Sequence, residues 1–192
     1  MKNMRVLIAE DECAVAHGLR QQVESLGHVA VGIASTGAQA VRLARELRPD
    51  AILMDIKMPE LDGLEATAAV LERSPTAVVI LTGHLERPLT ERATQTGAMA
   101  YLVKPVAAEE LEAALQVARR RFEETQELRG EVASLREALQ VRKIVERAKG
   151  IIMQRLGVGE AEAYRRLQKR ARDQNRKLGD IAQSIVEADQ MI

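Results

Sequence analysis

The sequence predicts a two-part protein. A doubly wound α/β domain on a five-stranded parallel sheet comes first, then a coiled-coil-type linker helix and a small all-α bundle of three helices. Three observations predict it. Five short apolar runs alternate with helical patterns through residues 1–120. A long helix-compatible stretch follows Pro105, with no Pro/Ser-rich tether in it. The last third then offers three short amphipathic segments separated by glycine- and asparagine-containing turns.

Length and composition are consistent with this. The 192 residues allow one full domain and a smaller one, and 46% apolar with 29% charged residues fits a soluble globular chain. No apolar run approaches the roughly 18 residues needed to span a bilayer. The N-terminal "MKNMRVLIAEDE" turns acidic too soon for a secretory signal. The one cysteine, Cys13, allows no internal disulfide; it reads as a small packing residue near a strand end, and a cytoplasmic location is expected. The net charge of zero hides an asymmetry. Residues 1–120 carry 13 basic and 16 acidic side chains, residues 121–192 carry 15 and 12, and the window 142–177 carries 12 against 4. Two modules with different partners are implied.

The five apolar runs are "RVLIAE", "HVAVGIA", "AILMDI", "AVVILT" and "AMAYLV". Helical spacing between them is clearest at Val15, Leu19, Val23 and Leu26, and at Ala40, Val41, Ala44 and Leu47. Strands alternating with helices of this length need right-handed crossovers, which makes the sheet parallel and covers both its faces. Ligands of such sheets bind beyond the carboxyl ends of the strands. The first strand ends there in Glu10-Asp11-Glu12, the third in Asp55, the fourth in Thr82-Gly83, and Lys104-Pro105 follows the fifth. Pro59 and Gly63 fit a loop that returns into a helix. Glu10, Asp11 and Asp55 need a cation to sit together, and hard oxygen ligands of this kind suit Mg²⁺. No G-x-G-x-x-G and no P-loop follows the first strand, which argues against a dinucleotide or nucleoside triphosphate.

With the acidic pair Glu10-Asp11, "MDIKMPELDG" around Asp55, Thr82, and Tyr101 three residues before Lys104-Pro105, residues 4 to about 120 resemble the receiver domain of two-component response regulators, a flavodoxin-like fold. The resemblance implies that Asp55 accepts a phosphoryl group from a sensor histidine kinase. It implies that Glu10, Asp11, Asp55 and the backbone carbonyl of Lys57 hold Mg²⁺, and that Lys104 and Thr82 contact phosphoryl oxygens. Tyr101 would turn inward as Thr82 moves, a two-state switch biased by the new charge. The family also implies a cis bond between Lys104 and Pro105. Gly83 stands where a small residue with a side chain is more usual, a departure that loosens the loop after it.

After Pro105, Leu111, Leu115, Ala118 and Phe122 keep a four-three spacing, which Leu128, Val132, Leu135 and Leu139 resume after a shift of phase near Thr125. Two heptad stretches with a skip suggest a coiled coil at 121–141. It serves either as a homodimer seam or as an amphipathic helix covering a neighbouring module. Gly130 weakens it.

Residues 142–156 read as a helix with Ile144, Ala148, Ile151, Ile152 and Leu156 on the core stripe. Lys143, Arg147, Gly150 and Gln154 share the opposite side, and Arg142, Lys149 and Met153 form an adjoining row. A mid-helix glycine costs about 1 kcal/mol relative to alanine. Gly150 therefore has two readings, a side-chain-free notch on the basic stripe that a binding partner approaches, or a close approach of a neighbouring helix. Arg155, on the apolar side, braces the next helix. Gly157–Gly159 break the helix, and Glu160 and Glu162 favour the start of the next. There Tyr164, Leu167 and Ala171 line the inner face while Arg165, Arg166, Lys169, Arg170 and Arg172 point outward. Asn175–Gly179 read as a turn, and Ile181, Ala182, Ile185 and Val186 supply the core face of a third helix.

The Glu-Ala-Glu-Ala start of the second helix is a poor surface for a DNA backbone, and aromatic residues for stacking bases on a sheet are nearly absent. Residues 131–189, with their Ala-Lys-Gly core, glycine turn, Ala-Tyr pair and Asn…Leu…Ile-Ala close, resemble the ANTAR domain, the RNA-binding module of AmiR/NasR-type transcription antiterminators. The resemblance implies binding to paired hairpins in nascent transcripts, with 131–192 as the output domain overlapping the linker. Lys143, Arg147, Lys149, Gly150, Arg165, Arg166, Lys169 and Arg172 are the candidate RNA contacts, Lys149 and Arg147 foremost. A DNA-binding output and a protein-docking phosphorelay role stay open at this point. No enzymatic turnover is expected beyond phosphoryl transfer to Asp55 and its slow reversal by water, and no membrane partner.

Overall fold

The computed structural model describes residues 3–83 and 96–190, with the side chain of Gln190 excepted. The chain divides into two compact units, Met1–Gln126 and Glu127–Ile192. In the first, strands β1 (Arg5–Ala9), β2 (Val29–Ala34), β3 (Ala51–Asp55), β4 (Ala77–Thr82) and β5 (Ala100–Val103) form one parallel sheet in the order β2-β1-β3-β4-β5. Helices α1 (Cys13–Ser25), α2 (Gly37–Leu47), α3 (Gly63–Arg73) and α4 (Ala108–Leu156) complete its described regular structure. Strand order explains composition: β3 and β4, buried at every residue, are the near-continuous apolar runs of central strands, whereas the edge strands β2 and β5 are partly exposed.

Alternation splits the core into two layers. Leu7, Ile52, Met54, Val78 and Ile80 face Ala40, Ala44, Leu64 and Val70 of α2 and α3. Val6, Ile8, Leu53, Val79 and Leu81 face Leu19 and Val23 of α1 and Leu111, Leu115 and Ala118 of α4. Helix starts are chemically marked. The Thr36 hydroxyl accepts from the Gln39 amide at 3.1 Å, and the Asp62 carboxylate accepts from Glu65 at 2.8 Å. His28, a buried residue that the sequence left unremarked, ties three elements together. Its Nε2 bonds Glu112 Oε2 of α4 at 2.8 Å while Nδ1 accepts the Met4 amide at 3.4 Å.

Gly63 explains one glycine of "MDIKMPELDG". A Cβ at this position would lie 1.8 Å from the Asp55 carbonyl oxygen, so α3 can start this close to the end of β3 only without a side chain. Cys13 corrects the sequence expectation: it is exposed, at the rim end of α1 one turn before the first buried residue Ala16, with its Sγ 3.4 Å from His17 Nδ1. The loosening expected of the loop after Gly83 concerns residues outside those described.

The 49-residue α4 runs without a break from the first unit into the second. Its early apolar residues pack on the sheet, but Leu128, Val132, Leu135 and Leu139 are 63, 45, 58 and 57% exposed. Gly157 (φ +63°) ends the helix in the left-handed region, with its amide on the Met153 carbonyl at 3.0 Å. Helices α5 (Glu160–Asp173) and α6 (Leu178–Gln190) follow. The turn between them closes through Asn175 (φ +49°) and the Arg176 amide on the Ala171 carbonyl at 2.9 Å. Gly179 therefore lies inside α6 rather than in the turn, where a Cβ would come within 3.3 Å of Val141.

The bundle core is Val145 and Ala148 from α4, Leu167 and Ala171 from α5, and Ile181, Ala182 and Val186 from α6. The buried face of α4 is thus turned from the expected stripe. Val145 enters it, and Leu156 leaves it at 54% exposed. On α5, Ala163 is buried, whereas its neighbour Tyr164, expected on the inner face, is 38% exposed. The short side chain of Ala163 is the one that fits between closely packed helices. No helix among the described residues is long and apolar enough to cross a membrane.

Candidate functional site

Parallel strands bring their carboxyl ends to one edge, and the predicted rim residues meet there. Glu10 follows β1, its amide still laddered to the Ala34 carbonyl at 2.9 Å, and its side chain is buried. Asp55 closes β3, buried, with Oδ1 accepting the Ile56 amide at 2.9 Å. Lys104 lies just past β5, held by its amide on the Thr82 carbonyl at 2.8 Å, and the Lys104-Pro105 bond is cis. Its ammonium sits 2.5 Å from Glu10 Oε2 and 3.1 Å from Asp55 Oδ2. Asp11 is exposed, and one oxygen each from Glu10, Asp11 and Asp55 lie within 4.8 Å of one another.

One ammonium faces three carboxylates, and the electrostatics reflect the shortfall. Burial raises the Asp55 carboxyl above its ordinary pKa, Lys104 pulls the other way, and Asp11 adds to the rise. Burial raises Glu10 likewise, against Lys104 and with Asp55. Burial opposes the Lys104 ammonium, but the two carboxylates outweigh it and hold its pKa above the usual lysine value. An all-oxygen donor set with surplus negative charge and one solvent-facing member fits a hard divalent cation that keeps several waters.

Thr82 ends β4, buried, on the sheet face that carries Ile80; Tyr101, opposite Ile80 in β5, shares that face and is half-buried. The Tyr101 side chain is hydrogen-bonded with that of Thr96, and burial raises the phenol above its ordinary pKa. Lys57 lies two residues past Asp55, exposed.

The second unit gathers the basic residues, and the structure sorts them. Lys143, Arg147 and Gly150 are exposed along one side of α4; Lys169 and Arg172 are exposed on α5. These four cations have no ion-pair partner among the described residues. Arg165 and Arg166 are both drawn to Glu162, at 3.1 and 3.0 Å. A Cβ on Gly150 would meet nothing within 4 Å, which removes the helix-packing reading of that glycine.

Lys149, a foremost sequence candidate for RNA contact, is corrected. Its side chain is only 9% exposed, with its ammonium 2.9 Å from Glu146 and 2.5 Å from Glu160, and 6.0 Å from the Tyr164 ring centroid. The carboxylates of Glu160 and Glu146 raise its pKa, and it lowers that of Glu160 in return. The turn at Gly157–Gly159 folds the start of α5 back beside α4, so this cation bridges two helices instead of facing solvent. Arg155 also braces, through Nε and Nη2 to Asp189 Oδ1 at 2.9 and 2.5 Å. Its partner lies on α6 rather than on the expected next helix.

Comparison with known proteins agrees with this division. Residues 6–116 match the response regulator receiver domain and residues 133–186 the ANTAR domain. The chain therefore belongs to the response regulators of two-component systems, with a receiver followed by an RNA-binding ANTAR output domain, the module of transcription antitermination. It is similar to the transcriptional regulatory protein PdtaR of Mycobacterium tuberculosis, 41% identical over 183 residues, which cover 95% of this chain and 89% of that protein. Response regulator GacA of Pseudomonas aeruginosa is 38% identical over 115 residues, 59% of this chain and 54% of that protein. Among solved structures, the receiver domain of NarL from M. tuberculosis aligns with a TM-score of 0.58 and 32% identity, covering 62% of this chain and 98% of that one.

Proposed function

We propose that Asp55 is the phosphoacceptor through which a sensor histidine kinase controls RNA binding by the ANTAR domain. The observation that carries this reading is the placement of Asp55 Oδ2, 3.1 Å from the Lys104 ammonium at the edge of the Glu10–Asp11–Asp55 cluster. An Asp55 oxygen attacks phosphorus, and the bond to the kinase imidazole nitrogen breaks. Lys104 moves from carboxylate to phosphoryl oxygen, and the Thr82 hydroxyl donates to another. Glu10, Asp11, Asp55 and the Lys57 carbonyl would hold Mg²⁺, which supplies charge neutralisation at the transferring group. Inward movement of Thr82 gives Tyr101 the space to rotate, and the receiver changes state. No turnover of a separate substrate is part of this reading.

The boundaries we assign are 1–120 for the receiver, 121–141 for the linker and 131–192 for the output domain. The linker stripe Leu128, Val132, Leu135 and Leu139 has the heptad spacing of a homodimer seam, and its exposure supports that use. The dimer presents two ANTAR bundles to paired hairpins in a nascent transcript, which keeps a terminator from forming. Lys143, Arg147, Lys169 and Arg172 make phosphate contacts and Gly150 leaves room for the RNA backbone, with Arg165 and Arg166 contributing the N–H donors that Glu162 does not hold. A protein of this kind works in the cytoplasm.

The test compares molecular mass and RNA-hairpin affinity with and without a small-molecule phosphodonor, using Asp55→Asn as control. Phosphodonor is expected to raise affinity in the wild type alone. Equal affinity in all samples rejects the switch, and equal binding to duplex DNA rejects the RNA output.

A further inference from the structure

The three helices of the ANTAR domain leave a cleft of 430 Å³ where the last turns of α4 meet α5 and α6. Its size falls in the range of roughly 300–1,000 Å³ typical of small-ligand pockets. Its floor is aliphatic, with Ile151, Leu167, Ile181 and Ile185. Around it stand four arginines, Arg155, Arg166, Arg170 and Arg176, against one aspartate, Asp189, and no lysine. We propose that this cleft receives a single unpaired base of the hairpin loop, with the arginines holding the phosphates on either side; the proposal rests on the RNA-binding reading above.

The choice of cation is the first argument. A guanidinium is planar and forked, so it stacks on a base and grips phosphate bidentately, where an ammonium does only the second. The tyrosine of this unit, Tyr164, lines a different cleft, so no aromatic ring serves a base here. Arginine planes and aliphatic side chains then have to supply the stacking surface.

Preorganisation is the second. Asp189 clasps Arg155, Glu162 holds Arg166 at 3.0 Å, and Arg176 Nη2 donates to Ser184 Oγ at 3.3 Å and to the Asp180 carbonyl at 3.4 Å. Each is fixed from one side and keeps further N–H donors free. Arg170 has no ion-pair partner among the described residues. Gln174 and Ser184 add polar groups for a base edge.

Continuity is the third. Lys143 and Arg147 stand two turns and one turn before Ile151 on the same i, i+4 row of α4, so this exposed basic row leads to the cleft. A backbone following that stripe delivers its next nucleotides to the cleft mouth. Loop bases are already unstacked, so little is lost in turning one inward.

The experiment uses the full chain treated with phosphodonor. A hairpin is selected on it from a pool with a randomised loop, and each loop position is then made abasic in turn. Ala188→Trp fills the cleft from its rim, and Arg170→Ala removes the unpaired guanidinium; circular dichroism checks that each folds. One abasic position is expected to weaken wild-type binding by about tenfold or more. Both variants should lose a similar factor on the intact hairpin and nothing further on that abasic one. Wild-type affinity in Arg170→Ala and in a folded Ala188→Trp, or equal losses on intact and abasic hairpins, overturns the pocket while leaving the RNA reading in place. Failure of the wild type to enrich any hairpin overturns both. Unchanged hairpin affinity with weakened poly-glutamate binding in Arg170→Ala assigns the cleft to an acidic protein segment instead.

Discussion

Lys149 shows how a cation inside a basic segment is withdrawn from solvent. Its ammonium is taken up by carboxylates on two helices, so its pKa rises while that of Glu160 falls. For the raised lysine, the stabilising contribution is complete below the ordinary value of 10.5 and is lost as pH rises through the folded value. For the lowered Glu160, it is complete above 4.5 and is lost as pH falls through the folded value. Lys149→Met should therefore lower the melting temperature of the second unit most between these limits, with the deficit shrinking in acid; thermal melts across the pH range measure it. RNA affinity of the folded variant should change less than that of Arg147→Ala, which removes an exposed cation that we propose contacts phosphate and should cost about one unit of salt slope. Gly63 makes the opposite point in the receiver. Because its missing Cβ would overlap the Asp55 carbonyl, Gly63→Ala forces α3 away from β3 and is expected to destabilise by roughly 1–3 kcal/mol in chemical denaturation.

At the scale of elements, α4 changes its role along its length. Its first turns belong to the sheet core through Leu111, Leu115 and Ala118, and its last turns to the bundle through Val145 and Ala148. Between these stretches, from Leu128 to Val141, its apolar residues are exposed. A helix this long tolerates Gly150 because propagation adds one hydrogen bond per residue once the helix exists. With open space around the added methyl, Gly150→Ala should fold normally and gain up to about 1 kcal/mol of stability. A simultaneous fall in hairpin affinity, read by titration, assigns the glycine to RNA approach; unchanged affinity removes that role.

At the scale of the whole molecule, an acidic receiver and a basic output unit share one chain, and the exposed heptad stripe offers a way to pair two of them. Leu135→Asp places a charge on that stripe, which we propose forms the seam of a dimer. It is expected to halve the mass of the phosphorylated species in light scattering, without altering the phosphorylation of Asp55. A wild-type mass of one chain under all conditions rejects the seam.

What the order of residues determined by itself was the sheet, its rim and the domain class. In a parallel sheet every strand end reaches the same edge, so Glu10, Asp11, Asp55, Thr82 and Lys104 were legible as neighbours without any coordinates. The glycine turn was legible because it depends on local geometry, whereas for Arg155 only a bracing role was legible, and its partner proved to be Asp189 of α6 rather than a residue of the next helix. The tertiary structure alone decided which side of each bundle helix faces inward. At 3.6 residues per turn, a stripe of mixed apolar and basic residues can settle in more than one phase, and the partner helices choose among them. That choice buried Val145 and Ala163, exposed Leu156 and Tyr164, and turned Lys149 toward Glu160. It also brought Arg155 of α4, Arg166 and Arg170 of α5 and Arg176 of the turn before α6 around one cleft, although no single helix face carries them all.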